Sequence, residues 1–248
     1  MTGGIIIPVY KHGKACAAVV DGLSQYSYPI ILVDDGNDGE AKAYLRQIAD
    51  GNPAVTLVTL PKNRGKGGAF LAGIAKAHEM GWTHALQIDA DGQHDLTRAP
   101  FFFAQAAANP AALICGYPEY DASVPVHRKN GRKFANTWAK IVSFECGIVD
   151  TMCGFRVYPV EPTLRVFRHS YCDKRMGFDI EILIRLIWAG IPYLFFPVRV
   201  TYPADGVSNF HVVRDNMRIS WVYTRLCIGM ILRLPFLLAK TIRRKRAP

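Results

Sequence analysis

The sequence predicts an α/β fold with a mostly parallel central sheet, and three observations predict it. Short β-branched apolar runs alternate with helix-length amphipathic stretches, acidic residues follow two of those runs directly, and no Gly-, Ser- or Pro-rich linker divides the chain. The 248 residues are half hydrophobic and 20% charged, which supplies one sizeable core and argues against disorder.

Residues 4–9 (GIIIPV) and 30–33 (IILV) are continuous and β-branched, as in strands buried on both faces. Residues 54–60, 84–88 and 111–115 repeat that pattern, with helices expected over 12–25, 39–49, 67–80 and 96–108 between and after them. Beyond about residue 117 the rhythm changes. A polar stretch over 118–133 reads as a long loop entering a helix over 133–146; a strand (155–158), a helix (177–189), a strand (193–200), a turn (205–211) and a helical tail follow. The expected organisation is a catalytic domain over 1–212 and a basic amphipathic tail over 213–248.

The carboxylates carry the chemistry. Asp34, Asp35 and Asp38 follow IILV, and Asp89, Asp91 and Asp95 follow the run that ends in LQI. Ligands of open parallel sheets bind outside the carboxyl ends of the strands, so both clusters are expected at one crevice. Asp89 and Asp91 can reach one hard cation, Mg2+ or Mn2+, completed by Gln93 or by ligand oxygens. The plainer reading is that either Asp caps the following helix. Lys62, Arg64 and Lys66, interleaved with Gly65, Gly67 and Gly68 ahead of a helix, suit a phosphate or a solvated loop.

The chain carries 30 Lys+Arg against 20 Asp+Glu, a formal charge of +10. From Arg214 onward there are nine basic residues and one acid, Asp215, so the body is nearly neutral. That distribution, without a recognised nucleic-acid module, argues against a nucleic-acid partner. Arg214, Arg218, Arg225 and Arg233 fall within about 100° of one another on a helical wheel. Arg225, Arg233 and Lys240 interrupt the apolar run and Pro235 is expected to break the helix. The tail therefore reads as an in-plane anchor ending in RRKR, with a helix packed on the body as the other reading. No basic leader precedes the first strand and the six cysteines form no C-x-x-C pair, so free thiols and a cytoplasmic place, peripheral at the inner leaflet of the plasma membrane, are expected.

IPVYKHG, ILVDDGNDG, NRGKGGAFLAGI and DADGQHD, in this order, resemble glycosyltransferase family 2, and DTMCGFRVYP and GFDIEILIRL match its later blocks. Within that family the chain is similar to dolichyl- and polyprenyl-phosphate sugar synthases and to bacterial aryl-polyene-cluster members. The resemblance implies a GT-A fold and an inverting, metal-dependent transfer from a nucleotide-sugar donor to a lipid acceptor, a polyprenyl phosphate first. It places Pro8, Tyr10, Asp35, Lys66, Asp89, Ala90, Asp91 and Arg199 at the donor, and Asp89, Asp91 and Gln93 at the metal. Arg128 and Arg132, with Lys129 and Lys133, fall on a basic loop that meets an acceptor phosphate, and Asp91, Asp179 and Arg128 form the implied catalytic set.

Asp179 also fits a base for a hydroxyl acceptor on a lipid-linked or glycan chain, or a plain helix-dipole partner. His211 is a candidate third metal ligand or a surface histidine, and His94 is expected to orient its loop. Two departures leave the sugar and base open: Gly116-Tyr117-Pro118 stands where the family has an arginine, and Asn209 where it has a lysine. A non-catalytic nucleotide- or nucleic-acid-binding protein is the alternative of another class.

Overall fold

The computed structural model describes residues 1–120, 126–201 and 212–246; the side chains of 120, 126–130, 212 and 240–246 lie outside the described set. Seven strands form one sheet, with helices on both faces. They are β1 (Gly3–Val9), β2 (Ile30–Asp34), β3 (Val55–Thr59), β4 (His84–Gln87), β5 (Leu113–Tyr120), β6 (Arg156–Pro159) and β7 (Tyr193–Val200), in the order β3-β2-β1-β4-β6-β5-β7. Every pairing is parallel except those of β6, which runs antiparallel to β4 and β5. The mostly parallel α/β expectation holds.

The helices are α1 (Gly13–Ser24), α2 (Gly39–Gly51), α3 (Lys66–Glu79), α4 (Ala99–Ala108), α5 (Val126–Ser143), α6 (Val160–His169), α7 (Phe178–Trp188) and α8 (Val212–Arg246). Two cores flank the sheet because successive strand side chains point to opposite faces. Ile6, Ile31 and Val33 pack with α3, α5 and α7 on one side; Ile5, Ile7, Val9 and Leu32 pack with α1 and α4 on the other.

Three expectations need correction. The polar stretch expected as a loop is shorter: β5 runs on to Tyr120 and α5 starts at Val126. β7 pairs with β5 along its whole length, and Pro118 is tolerated because β6 pairs only with Ile114 and Cys115. Helix α6 was not expected; it holds Pro162 in its first turn, where the missing N–H costs no bond. Pro235 does not end α8. The carbonyl it leaves without a donor is that of Ile231, and both residues are exposed, so the opened bond faces outward.

The tail also differs in which face it turns inward. Val222, Tyr223, Leu226 and Leu237 of α8 are buried against the body, and the Tyr223 hydroxyl donates to the Ala135 carbonyl. Arg225 and Arg233 belong to this inner side. Arg225 pairs with the fully buried Glu181 at 2.6 Å, and the Arg233 guanidinium lies 4.9 Å from the centre of the Trp188 ring. The outward face carries Met217, Trp221, Ile228, Ile231 and Leu232, all more than half exposed. By length and composition, the stretch Val213–Ala239 is apolar enough to cross a membrane.

Candidate active site

The parallel strands β1, β2 and β4 end together, so their following loops share one edge of the sheet. Val9 is in register with Asp34, and the Asp35 N–H donates to the Val9 carbonyl at 3.0 Å, which sets Tyr10 and Asp35 side by side. Pro8 and Tyr10 are half-buried there, with the Lys11 ammonium 5.3 Å from the Tyr10 ring centre. Ile88 donates to Ile6, so Asp89, Ala90 and Asp91 leave the sheet at the same edge.

Asp35 builds the next loop. Its carboxylate accepts from Arg64 N (2.6 Å), Gly65 N (2.8 Å) and Asn63 Nδ2 (3.0 Å), and burial raises its pKa. In this structure Asp35, expected at the donor, holds the glycine loop that opens α3. Gly65 has φ +80, and a Cβ there would run into the Lys174 carbonyl. The loop delivers Lys66 into the crevice.

Lys66 is the centre of the charge arrangement. Its Nζ lies 2.8 Å from Asp89 Oδ1 and 2.7 Å from Asp179 Oδ2. Burial alone would lower the lysine pKa, but Asp179 and Asp89 hold it above its ordinary value. Burial would likewise raise the Asp89 pKa, and the Lys66 ammonium overrides it and holds it low. Gly154 packs on this pair: a Cβ there would sit 2.5 Å from Asp89 Oδ2 and 2.7 Å from Lys66 Nζ. The other Asp179 oxygen accepts from Gln87 Nε2 at 3.2 Å, so both its oxygens are engaged.

Asp91 contrasts with Asp89. Among the described residues no cation pairs with it, and its recorded hydrogen bond is from Gln93 N at 3.1 Å. Burial, then the nearby Asp89 charge, pushes its pKa up. A buried carboxylate raised further by its neighbour's charge is one that a hard cation would relieve, so the chemistry of Asp89 and Asp91 suits Mg2+ or Mn2+, with Gln93 joined to Asp91 through its backbone N–H. Among the described residues no three His, Cys, Asp or Glu groups form a complete cage, so ligand oxygens would finish the coordination. His94 packs 5.5 Å from the Phe155 ring centre, its Nε2 3.7 Å from Cys153 Sγ. Burial lowers its pKa and leaves Nδ1 without a partner. It bridges to Val200, and Asp95 N donates to the Arg199 carbonyl, so the loop lies against the end of β7 with Arg199 exposed beside it.

Arg132 Nη1 donates to both oxygens of Asp150, at 2.9 and 2.7 Å. Asp150 also accepts from Met152 N and Cys153 N, so Arg132 ties α5 to the turn that leads to Gly154. The side chains of Arg128 and Lys129, and all of His211 and Asn209, lie outside the described residues. Sequence reasoning missed Arg156. It is fully buried, donates to the backbone carbonyls of Asp179 (2.7 Å) and Thr151 (2.8 Å), and fixes the start of α7. It is the arginine of DTMCGFRVYP, a buried cation inside an apolar run, and that was the available signal.

The open α/β sheet gathers acidic and basic loops at its carboxyl edge, where the ligands of such sheets bind. The model of glycosyl transferase family 2 matches residues 4–173, and the chain belongs to that family of glycosyltransferases. It is 33% identical to a UDP-N-acetylglucosamine–dolichyl-phosphate N-acetylglucosaminyltransferase of Methanococcus voltae, over 92% of this chain and 97% of that one. It is 30% identical to a dolichyl-phosphate β-glucosyltransferase of Dictyostelium discoideum, over 88% of this chain and 74% of that one. The fold matches glucosyl-3-phosphoglycerate synthase from Mycobacterium tuberculosis in complex with Mn2+, uridine diphosphate and phosphoglyceric acid. That likeness has a TM-score of 0.68 and 14% identity, covering 91% of this chain and 78% of that one.

Proposed function

We propose that this glycosyltransferase moves a sugar from a nucleoside diphosphate sugar to a polyprenyl phosphate at a membrane surface, with inversion. The observation that carries the reading is the Lys66 bridge. Asp179, the carboxylate the sequence offers as a base, has its oxygens on Lys66 and Gln87, and a phosphate acceptor needs no base. The two curated relatives, whose names carry different sugars, both act on dolichyl phosphate, which supports the acceptor class and leaves the sugar open.

A phosphate oxygen of the acceptor attacks the anomeric carbon from the face opposite the leaving group. The bond from that carbon to the nucleoside diphosphate breaks, and the diphosphate leaves as an anion. Asp89, Asp91 and Gln93 would hold Mg2+ or Mn2+, which when bound offsets charge on the diphosphate. Pro8 and Tyr10 would flank the base, and Ala90 and Arg199 lie along the same edge. Lys66 and Asp89 would set the donor's orientation, and Arg128 and Arg132 would receive the acceptor phosphate.

The second reading, a hydroxyl acceptor, rests on Asp179 standing 8% exposed inside the site. Asp179→Asn separates the two. Turnover on a polyprenyl phosphate should fall less than about tenfold, whereas base-dependent transfer to a hydroxyl should fall about 10²–10⁴-fold.

Residues 1–212 would then form the catalytic unit and 213–248 the docking element, placed peripherally on the cytoplasmic leaflet. The outward apolar face of α8 supports this, as does the exposed ridge of Phe134, Trp138 and Ile141 on α5. The contacts of Arg225 and Arg233 with the body favour a helix lying in the interface over one that spans it. Replacing Met217, Trp221 and Ile228 together by Ser should release the protein from phosphatidylglycerol vesicles in a flotation assay. Undiminished flotation would contradict the docking face.

A further inference from the structure

We infer that Lys66 is an internal counter-ion that competes with the divalent cation for Asp89, so that metal and nucleotide diphosphate bind as a unit. The inference rests on the metal reading above and concerns the order in which that site fills.

The ammonium lies within 2.8 Å of both Asp89 and Asp179, and Gln87 fixes the far oxygen of Asp179. Gly154 packs against the pair on one side, where even a Cβ would sit 2.5 Å from Asp89 Oδ2 and 2.7 Å from Lys66 Nζ. A cation that takes Asp89 must displace the Lys66 ammonium from it. A lone metal ion approaching Asp89 and Asp91 meets a fixed positive charge that already neutralises one of its two carboxylates. Like charges at such short range in a partly desolvated site cost far more than in water.

A diphosphate changes that balance. Its oxygens bring anionic partners for both cations at once, so Lys66 can turn toward phosphate while the metal takes Asp89. Asp179 has a positioning role here: it keeps the ammonium in the crevice when Asp89 is given up. Lys66 stands at the first residue of α3, where main-chain N–H groups also favour an anion. The arrangement therefore disfavours metal alone and favours the metal–diphosphate pair.

The test is a Mn2+ titration of the full chain, followed by the electron-spin signal of free Mn2+, with and without UDP and, in parallel, GDP. Wild-type protein should bind Mn2+ alone weakly and gain at least about tenfold in affinity with the matching nucleotide. Lys66→Met should tighten binding of Mn2+ alone by at least about tenfold and lose most of that nucleotide gain. Lys66→Arg, which keeps the charge, should stay weak. A folded Lys66→Met protein, judged by circular dichroism and Tm, with unchanged or weaker affinity for Mn2+ alone would overturn the inference. If Lys66→Met does not fold, the wild type decides, because Mn2+ affinity that is independent of nucleotide overturns it as well. No Mn2+ binding by any variant under any condition would instead sink the metal reading on which it rests.

Discussion

Asp91→Asn is expected to lower turnover by about 10²–10⁴-fold and to abolish Mn2+-dependent binding of a nucleotide diphosphate. The substitution keeps the size of the side chain and removes only charge. Asp89 already faces the Lys66 ammonium at 2.8 Å, whereas Asp91 has no paired cation among the described residues. Burial and the Asp89 charge hold the Asp91 pKa above its ordinary value, so the site is short of positive charge at that carboxylate. Losing it removes the stronger attraction for a hard cation. Calorimetry of UDP binding with and without Mn2+, beside kcat, checks this. A variant with wild-type rate and binding would remove Asp91 from the metal site.

Glu181→Ala should cost stability more than any other single change to the tail's seat. Glu181 is fully buried; its Oε1 accepts from Arg185 Nε and Nη2, its Oε2 from Arg225 Nη2 and Asp173 N. Removing the anion leaves two guanidinium groups, 14% and 21% exposed, without their partner. Breaking a buried pair in this way costs about 3–5 kcal/mol. For a chain of this size that lowers Tm by about 10 °C. Glu161→Ala is the contrast: its contacts with Arg165 and His78 are at 3.6 Å on the surface, and its loss should cost under about 1 kcal/mol. Thermal denaturation of both variants decides the comparison. Equal Tm values would mean that α8 is not held by Glu181.

The strands before residue 120 were legible because each holds a short apolar run ended by an acid or a turn. The crevice was legible for the same reason, since Asp35, Asp89 and Asp91 stand at strand ends. What the sequence hid depends on partners far along the chain. Lys66 and Asp179 are separated by 113 positions, and no local pattern joins them. Arg225 and Arg233 look like an outward basic stripe on a wheel, yet Arg225 pairs with Glu181 and Arg233 lies over the Trp188 ring. Helix spacing tells which residues share a face but not which face turns inward when both are apolar. The antiparallel setting of β6 was equally out of reach, because a four-residue run carries no direction.

The measurement closest to the central claim is transfer itself. Full-length protein, with Mg2+ or Mn2+ and a panel of UDP- and GDP-sugars, should be offered a polyprenyl phosphate and the corresponding polyprenol in detergent. The account predicts an acid-labile glycosyl phosphodiester from the phosphate with at least one donor, and none from the alcohol. Transfer to the alcohol or to a glycan hydroxyl, with none to the phosphate, would contradict it.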